Sequence, residues 1–353
     1  MAGYGAYDFS AIGRRRSPLL VVIGGDAEPT KSSTGFRHRG NSDIYKLIPE
    51  SFAFEQLNLN KRFSKRQGWP DLSGFECILN LVTDADQHPQ TLARLGKMLR
   101  GAKGRVLNRT EAVLRSTRDQ VAKRLDGIDG MRVPKVLRLR NPKPGAASAA
   151  AQHAALAFPM IVRLAGTHTG KIVGIVNVPE ELDAAAAGPG EFIVTEFVDF
   201  RSEDGLYRKY RVFFIGRHRI FRHLIGADEW KINAAQRFAF MAHQPGLIEE
   251  EQRILHDTAG AFPPGVTAAL DAVRERIGLD FFGMDFGIAA DAQAVLFEAN
   301  ATMNFFPVVN RPPFAHIESV IRPSRQALFE LLGLASLQDT PRSADKPSIA
   351  AAT

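Results

Sequence analysis

The stretch FFGMDFGIAADAQAVLFEANATMNFFP, residues 281–307, decides the fold prediction. Two runs of strand-forming residues flank Asp291–Ala292, so the stretch predicts a β-hairpin that turns there. In that register Asp285 lies directly opposite Glu298, and the alternation of a strand places Asn300 on the same face as Glu298. The other face of the hairpin is apolar, with the side chains Phe282, Met284, Phe286 and Ile288.

The polar face of this hairpin predicts a metal site. Two carboxylates that face each other across a sheet repel, unless a cation lies between them. Two carboxylates and an amide oxygen suit Mg²⁺, which keeps several waters and shares its remaining positions with phosphates. We therefore predict Asp285, Glu298 and Asn300 as magnesium ligands. Gly283 and Gly287 flank Asp285 and are expected to leave room for a ligand. The alternative is a solvated hairpin with carboxylates placed by chance.

A second hairpin is predicted in KYRVFFIGRHRIFRHLI, residues 209–225. If it turns at Gly216–Arg217, Arg211 lies opposite Arg222. Two facing guanidinium groups favour a shared anion, most naturally a phosphate. Asn233 comes within reach of the same site if the following loop folds back. An exposed basic hairpin without a ligand is the alternative interpretation.

A third segment, FPMIVRLAGTHTGKIVGIV at residues 158–176, reads as two strands joined by a short loop of small and hydroxyl residues. Backbone N–H groups of such a loop can bind phosphates, with Arg163 at the strand end as a charged partner. The sequence lacks GxxxxGK[ST], so the loop is not a P-loop. An ordinary hairpin turn is the alternative. The loop residues are Gly166, Thr167, His168, Thr169 and Gly170.

The rest of the chain predicts an α/β organisation. The predicted strands before the third segment are 19–24, 77–82 and 105–107, and the predicted helices there are 91–100 and 110–126. Residues 141–151 (NPKPGAASAAA) are predicted to be a linker, and Val133–Pro134 to begin an extended segment. Five strand-like runs follow between residues 158 and 225, and helical patterns cover 249–277 and 317–332.

Composition and charge limit the functional class. The chain has 353 residues, 45% hydrophobic and 24% charged, which is typical of a globular protein. The single Cys77 excludes disulfides within the chain and cysteine-based zinc sites. The N-terminus has no apolar stretch with a cleavage site and no long apolar run follows, so we expect a soluble, cytoplasmic protein without a membrane span.

The net charge of +7 is unevenly distributed along the chain. Residues 1–143 carry 26 Lys and Arg against 14 Asp and Glu, whereas residues 144–353 carry 19 against 24. An excess of positive charge attracts anions, such as nucleic acid or an acidic or phosphorylated substrate. No zinc finger or RNP-like motif accompanies the charge, so nucleic acid is not the expected partner. A basic, solvated surface is the alternative.

Taken in this order, the three segments resemble the ATP-grasp superfamily, in particular its glutathione-synthetase-like and peptide-glutamate-ligase-like branch. The resemblance covers roughly residues 105–332 and implies ATP and Mg²⁺ as ligands. It implies that Arg163 and the loop after it lie over the phosphates and that Arg211 binds a phosphate. It also implies that Arg222 and Asn233 match later positions of the nucleotide and acceptor site.

The same resemblance implies an adenine-binding hinge at IVTEFV, formed by Glu196, Phe197 and Val198, with Asp199 or Glu203 near the ribose. Members of the family commonly use two lysines on the nucleotide. The corresponding positions here are Arg118 or Gln120 and Arg163. The guanidinium of Arg is planar and donates hydrogen bonds in fixed directions, whereas the ammonium of Lys is a point charge. The usual Pro-Gly turn after the motif is replaced by residues 301–303 (Ala-Thr-Met).

The predicted fold class is α/β, with an α+β arrangement in the grasp half. The predicted domains are an N-terminal α/β domain at 1–107, a small subdomain over the nucleotide at 108–200, a large subdomain with the metal site at 201–335 and a disordered tail at 336–353. The predicted function is a ligase that activates a small-molecule or peptide carboxylate as an acyl phosphate for attack by an amine. Relatives are often dimers, which is compatible with a homodimer. The alternatives are a kinase that phosphorylates a hydroxyl and a nucleotide-binding regulatory protein without turnover that docks RNA.

Overall fold

The computed structural model describes residues 19–28, 30–32, 35–37, 39–49, 52–60, 69–167, 172–258, 260–309 and 311–334. The last residue of the predicted large subdomain, Ala335, and the whole predicted tail lie outside these ranges.

The first sheet is parallel and has the order β4-β1-β5-β6. The run LLVVIG forms a central strand because side chains on both of its faces are buried, as a parallel sheet covered on both sides requires. Strand β4 was not predicted, because Glu55 and Gln56 at its start give it no continuous apolar run. The strands are β1 (Leu19–Gly24), β4 (Glu55–Leu59), β5 (Cys77–Asn80) and β6 (Arg105–Leu107), and a small antiparallel pair, β2 (Thr30–Ser32) and β3 (Gly35–Arg37), follows β1.

The helices around this sheet differ from the prediction at one point. Residues 110–126 form two helices rather than one, because Thr117 is extended (ψ 153°) and caps the second helix. The second helix starts at Arg118 and so holds that side chain beside the third sheet. The helices are α1 (Pro89–Met98), followed by a 3₁₀ turn at Leu99–Gly101, α2 (Thr110–Leu114) and α3 (Arg118–Leu125).

The second sheet is antiparallel with the order β10-β9-β11-β8. The predicted linker at 141–151 is wrong in its second half, because the alanine-rich run forms a helix, in accordance with the high helix propensity of Ala. This helix, Ala146–His153, and the helix Pro179–Ala185 pack on one face of the sheet. The elements are β8 (Val136–Arg140), α4 (Ala146–His153), β9 (Met160–Leu164), β10 (Ile172–Val176), α5 (Pro179–Ala185) and β11 (Glu191–Glu196).

The third sheet has the order β13-β12-β14-β15-β7, with only the short β7 parallel to its neighbour. The predicted helical zone 249–277 is divided into two helices around Pro263 and Pro264, since proline is favoured at a helix start. The elements are β7 (Met131–Arg132), β12 (Tyr207–Ile215), β13 (His218–Ala227), α6 (Gln236–Ala239), α7 (Pro245–His256), α8 (Pro264–Ile277), β14 (Phe281–Ile288), β15 (Ala294–Asn300) and α9 (Ile321–Leu332).

The first and third sheets share their hydrophobic cores, whereas the second sheet has its own. Leu79 of β5 belongs to the same buried cluster as Phe213 and Phe281 of the third sheet. Met160 and Val162 of β9 instead pack with residues of α4 and α5. The second sheet is therefore a separate layer beside a larger unit made of the other two. The domain boundaries stay a prediction. Strand β7 lies within the predicted small subdomain, 108–200, but pairs with the third sheet.

Asn108 joins the first sheet to the third. It is fully buried and has a positive φ of 51°. Its side-chain oxygen accepts hydrogen bonds from the backbone N–H groups of Asp280 (2.8 Å) and Phe281 (3.2 Å), and its amide donates to the Phe281 carbonyl (2.8 Å). These bonds position the start of β14, which carries Asp285.

We expect Asn108→Ala to lower the free energy of unfolding by on the order of 3 kcal/mol, because three buried backbone groups lose their partner. Asn141→Ala is the matched control. Asn141 also has a positive φ (44°), but it is exposed and its side chain accepts one hydrogen bond, from Gly190 N. Urea denaturation of the two variants should separate the lost hydrogen bonds from the shared backbone strain. Equal losses in both variants would contradict this role of Asn108.

Candidate functional site

A cleft with an empty volume of about 760 Å³ lies between the three sheets. Its walls come from the loop after β5, the start of α3, the free face of the second sheet and the end of β15. It brings together several predicted residues from distant parts of the chain. Among the lining residues are Asp86, Arg118, Arg163, Thr167, Thr195, Glu298, Asn300 and Thr302.

The hairpin of β14 and β15 forms one wall and has the predicted register. Asp285 pairs with Glu298, and Gly283 pairs with Asn300. The Asn300 amide donates a hydrogen bond to Glu298 Oε1 (2.7 Å), so these two side chains share a face as expected. A bulge follows between Asp285 and Phe286. The predicted pairs from Asp285–Glu298 to the open end of the hairpin are therefore intact. Only the pairs between the bulge and the turn are shifted, by one residue.

The carboxylates of this hairpin have protein cations as neighbours, which the sequence analysis missed. Arg211 binds Asp285 with two hydrogen bonds, Nε to Oδ1 (2.6 Å) and Nη2 to Oδ2 (2.8 Å). Arg118 Nη2 lies 3.1 Å from Glu298 Oε2, and the same guanidinium donates to the Phe297 carbonyl. The facing carboxylates therefore do not need a metal to offset their repulsion. That argument for magnesium is wrong, although the oxygen ligands are in place.

The two glycines beside Asp285 do not leave the expected room. A Cβ atom on Gly283 would lie 2.5 Å from Met303 Sδ, and one on Gly287 would lie 2.7 Å from Phe297 Cζ and 2.8 Å from Phe200 Cδ2. Protein side chains fill the space over both residues. The glycines thus allow these side chains to pack on the sheet, and the cleft opens over Glu298 and Asn300 instead.

The predicted contact of two facing arginines is wrong by one residue. Arg211 pairs with His223 and Val212 pairs with Phe221, so Arg222 is the extra residue of a bulge. Arg222 is buried and donates to the carbonyls of Phe305 and Pro307, both at 2.9 Å. Burial, followed by the charge of Arg211, lowers its pKa to about 10. Its present role is to hold the segment after β15.

His223 and Lys209 complete this face of the third sheet. Glu298, Asp285, Arg211 and His223 are register partners in turn, so they form one row across four strands. Nε2 of His223 is buried without a hydrogen-bond partner, and burial with the surrounding cations keeps its pKa well below the usual range. The imidazole is therefore neutral at pH 7.

Lys209 lies two residues before Arg211, and strand alternation gives it the same face. Its Nζ donates to the Ile232 carbonyl (3.1 Å) and lies 3.8 Å from Asp285 Oδ2. Burial lowers the pKa of Lys209, while Asp285 acts in the opposite direction. The alternation of YRKYR was the signal that could have identified this residue from the sequence.

Arg163 lies on the face of the second sheet that lines the cleft. It pairs with Ile193 of β11 and Ile172 of β10. Its Nε is buried without a hydrogen-bond partner, and burial, reinforced by the nearby Arg118, lowers its pKa to about 9. The hydroxyl of Thr195 on the same cleft wall is also buried without a partner. A buried cation of this kind fits an anion that enters the cleft.

The loop after Arg163 is described only in part. Thr167 lines the cleft and its hydroxyl donates to the Leu164 carbonyl (2.7 Å). Gly166 has a φ of 67°, and its carbonyl accepts a hydrogen bond from the Gln87 side chain of the first domain. The predicted phosphate-loop residues His168, Thr169 and Gly170 lie outside the described residues.

The predicted hinge, Glu196–Asp199, follows directly after β11. The Glu196 carboxylate accepts hydrogen bonds from the backbone N–H groups of Ala157 (2.8 Å) and Lys135 (3.2 Å), which ties the ends of neighbouring strands together. Phe197 contacts Trp230 edge to face with ring centroids 5.4 Å apart, and Val198 packs against the same cluster. The Asp199 side chain accepts from Arg201 N (3.0 Å). None of these four residues lines the cleft wall given above.

Asn233 lies at the start of α6 rather than in the row of charged residues. It is exposed, its side chain accepts from Ala235 N (2.9 Å), and its own N–H donates to Gln236 Oε1 (2.7 Å). The bond from Ala235 N to the Asn233 side chain is that of an Asx turn, which precedes the helix. The loop does fold back toward the site as expected, since Lys209 binds the carbonyl of the preceding residue, Ile232.

Arg138 is a further residue that the sequence analysis missed. On β8 it binds three carboxylates: Asp86 (2.9 Å), Asp119 (2.8 Å) and Glu191 (2.7 Å). Asp86 belongs to the loop after β5 and Asp119 to α3, so this guanidinium links the second sheet to the remainder of the cleft. No sequence signal predicts the contact, because its partners come from three distant segments.

Two absences apply to the described ranges. Within them, no group of three or more His, Cys, Asp or Glu side chains is placed to hold a metal ion. A metal on this hairpin would thus need the Asn300 amide oxygen as a ligand beside the two carboxylates. No helix within the same ranges has the length and apolar character to cross a membrane.

Comparison with known proteins gives a structural likeness only. No family model matches the sequence, and no curated protein matches it either. Among solved structures, D-alanyl-alanine synthetase A from Vibrio cholerae O1 biovar eltor str. N16961 is 12% identical with a TM-score of 0.52, over 91% of this chain and 100% of that chain. VanG D-Ala:D-Ser ligase from Enterococcus faecalis is 16% identical with a TM-score of 0.50, over 90% and 99%.

At such identities the likeness shows the fold alone, and it covers the full length of both enzymes. It includes the mixed parallel and antiparallel sheets described above. The resemblance noted in the motifs and the likeness of the three-dimensional structure therefore agree, and the chain has the ATP-grasp fold in an α/β architecture.

Proposed function

We propose that this protein is an ATP-dependent ligase that activates a carboxylate as an acyl phosphate and joins it to an amine. The observation that supports this most directly is Arg163, a half-buried residue whose buried Nε has no partner, in a cleft that also contains Glu298 and Asn300. A cation in this position favours an anionic ligand, and an oxygen-rich wall beside it favours a ligand that arrives with a divalent cation.

We assign the nucleotide to this cleft. Arg163 and Arg118 would contact its phosphates, together with the loop Thr167, His168, Thr169 and Gly170. The hinge residues Glu196, Phe197 and Val198 would lie against the adenine, with Asp199 toward the ribose. Asp285, Glu298 and Asn300 would hold Mg²⁺, which supplies charge neutralisation at the phosphates. Before Glu298 can bind a metal directly, Arg118 must exchange that carboxylate for another partner.

The chemistry of ligation suits the residues present. A carboxylate is an anion at neutral pH and can attack the terminal phosphate of ATP without a base, which releases ADP. The amine nitrogen then bonds to the carbonyl carbon, the bond from that carbon to the phosphate oxygen breaks, and phosphate leaves with the electron pair and can take up the proton that the amine loses. Arg211 would offset the charge on the transferred group. Arg222, which donates to the Phe305 and Pro307 carbonyls, would hold the segment after β15, and Asn233 the loop before α6.

The two solved structures support the same class of reaction. One is named a D-Ala:D-Ser ligase and the other a D-alanyl-alanine synthetase. We transfer to this chain only the general type, a small-molecule or peptide carboxylate joined to an amine. A kinase of this fold would need a group that deprotonates a hydroxyl, whereas a carboxylate substrate is already an anion and needs none.

We expect Arg163→Ala to weaken ATP binding by about 1.5 to 3 kcal/mol, the range for a hydrogen bond to a charged group, with little change for adenosine. Arg163→Lys should recover part of the loss, since Lys cannot form the two-pronged contact. Arg140→Ala is the control, because Arg140 lies on the same sheet but its side chain is 71% exposed. Calorimetry with both ligands measures this, and equal losses for ATP and adenosine would contradict phosphate contact.

We expect Glu298→Gln to weaken magnesium-dependent ATP binding by about 1 to 3 kcal/mol. Asp291→Asn is the control in the same hairpin, since Asp291 is exposed at the turn and pairs with Arg132. The measurement is ATP affinity with Mg²⁺ and with EDTA. If wild type binds ATP equally well under both conditions, the metal assignment is wrong.

We expect phosphate release in step with ADP only when a carboxylate substrate is present. Hydroxylamine should divert the acyl phosphate into a hydroxamate, which mass spectrometry detects. The assay uses pooled amino acids, peptides and sugar phosphates as substrates. A stable phosphorylated product without free phosphate would favour a kinase, and the absence of ADP with every acceptor would favour a regulatory protein.

A further inference from the structure

A basic surface covers the outer side of α1 and α2. Residues 89–115 contain seven Lys and Arg against a single acid, Glu111. Helix α1 carries the half-buried Arg94 and the exposed Lys97, one helical turn apart, and the exposed Arg100 follows in the 3₁₀ turn. Arg109 and Arg115 are exposed at the two ends of α2. We call these five residues the basic surface.

The basic surface has no internal compensation of its charge. None of its five side chains forms an ion pair or hydrogen bond within the described part of the chain. Other arginines of the protein do find carboxylates: Arg208 binds Asp204 and Glu250, and Arg219 binds Asp271. A group of uncompensated cations raises the local concentration of anions.

The position of the basic surface relates it to the cleft. Helix α1 begins just after the cleft-lining residues 83–86, and Arg115 directly precedes the cleft-lining residues 116–118. The two helices touch at Gly96, where a Cβ atom would lie 2.8 Å from Thr110 Oγ1. One end of each helix thus adjoins a cleft-lining segment of the chain, and Arg115 is the member of the basic surface next to such a segment in sequence.

The chemistry of the surface favours carboxylates over nucleic acid. Residues 89–115 contain no Phe, Tyr, Trp or His, so no ring is present on which bases could stack. Guanidinium groups bind carboxylates and phosphates alike with two parallel hydrogen bonds, so the absence of stacking rings is what favours carboxylates here. Leu114 is 37% exposed beside Arg115 and gives a small apolar contact of the kind that a peptide side chain can cover.

We propose that the basic surface docks an acidic stretch of a polypeptide substrate, whose reacting carboxylate then enters the adjoining cleft. The docking step stands on the charge pattern alone. The second step, delivery of a carboxylate for ligation, rests on the proposed function. Together they narrow the substrate class from any carboxylate to an acidic peptide or protein segment.

The test uses the full chain and a fluorescein-labelled peptide of ten glutamates, with binding followed by fluorescence anisotropy without nucleotide. The variant Arg94→Gln/Lys97→Gln/Arg100→Gln should lose about tenfold or more in affinity, since three uncompensated charges are removed. The control Lys123→Gln/Lys143→Gln/Arg253→Gln removes the same charge from exposed side chains on other elements, none of which forms an ion pair in the described ranges. The control should stay within about twofold of wild type, and added salt should weaken the wild-type complex.

Three results would overturn the docking step. These are no binding of the peptide, an equal loss in both triple variants, or a labelled 20-nucleotide RNA that binds more tightly than the peptide and depends on the same three residues.

The delivery step has a separate readout. In the basic-surface variant, KM for an acidic peptide substrate should rise while KM for ATP stays unchanged. If the peptide binds but no carboxylate ever supports ADP formation, the ligase proposal fails and the docking surface remains. If KM for the peptide does not change in an active variant, the delivery step is wrong.

Discussion

The pairing of Asp285 with Glu298 across the hairpin is the constraint on which the site depends. Two carboxylates at this distance in a sheet would destabilise the hairpin without nearby cations. The chain supplies them from two other elements, Arg211 on β12 and Arg118 at the start of α3. The break between α2 and α3 contributes to this arrangement, since Arg118 would have a different position in one continuous helix. Under the proposed function, a bound metal cation would thus compete with these arginines for the same carboxylate oxygen atoms.

Because of this competition, an arginine of the site would exchange one partner for another. A guanidinium that pairs with a carboxylate in the free protein has already lost most of its hydration. Transferring it to a phosphate therefore costs less free energy than desolvating a guanidinium from water. Arg163 is different, since its Nε has no partner to give up. Among the described residues, the cleft therefore contains Arg163, whose Nε has no partner, and Arg118, which is paired with Glu298. Lysine, a point charge, would not impose the same two-pronged geometry on either contact.

The sequence predicted the hairpin register well because strand alternation and a turn define it locally. Asp285, Glu298 and Asn300 could be placed on one face from residues 281–307 alone. In the second hairpin the predicted register is correct from the turn to Val212 and one residue off at Arg211, since a bulge at Arg222 leaves no periodic signal. Lys209 could have been found from alternation, whereas Arg138 could not, because its three carboxylates are brought together only by the tertiary fold. Strand β4 was missed since burial on a parallel sheet, not its own composition, stabilises it.

The separate core of the second sheet has a mechanical consequence. Its apolar side chains are buried against α4 and α5, so the sheet does not need the rest of the protein to cover them. Its links to the rest of the protein include the ion pairs of Arg138 and the hydrogen bond from Gln87 to Gly166. The Arg138 side chain is only 10% exposed, so breaking its ion pairs would leave a nearly buried charge without partners. A movement of the second sheet away from the cleft floor would therefore break these polar contacts, while its own hydrophobic core stayed covered.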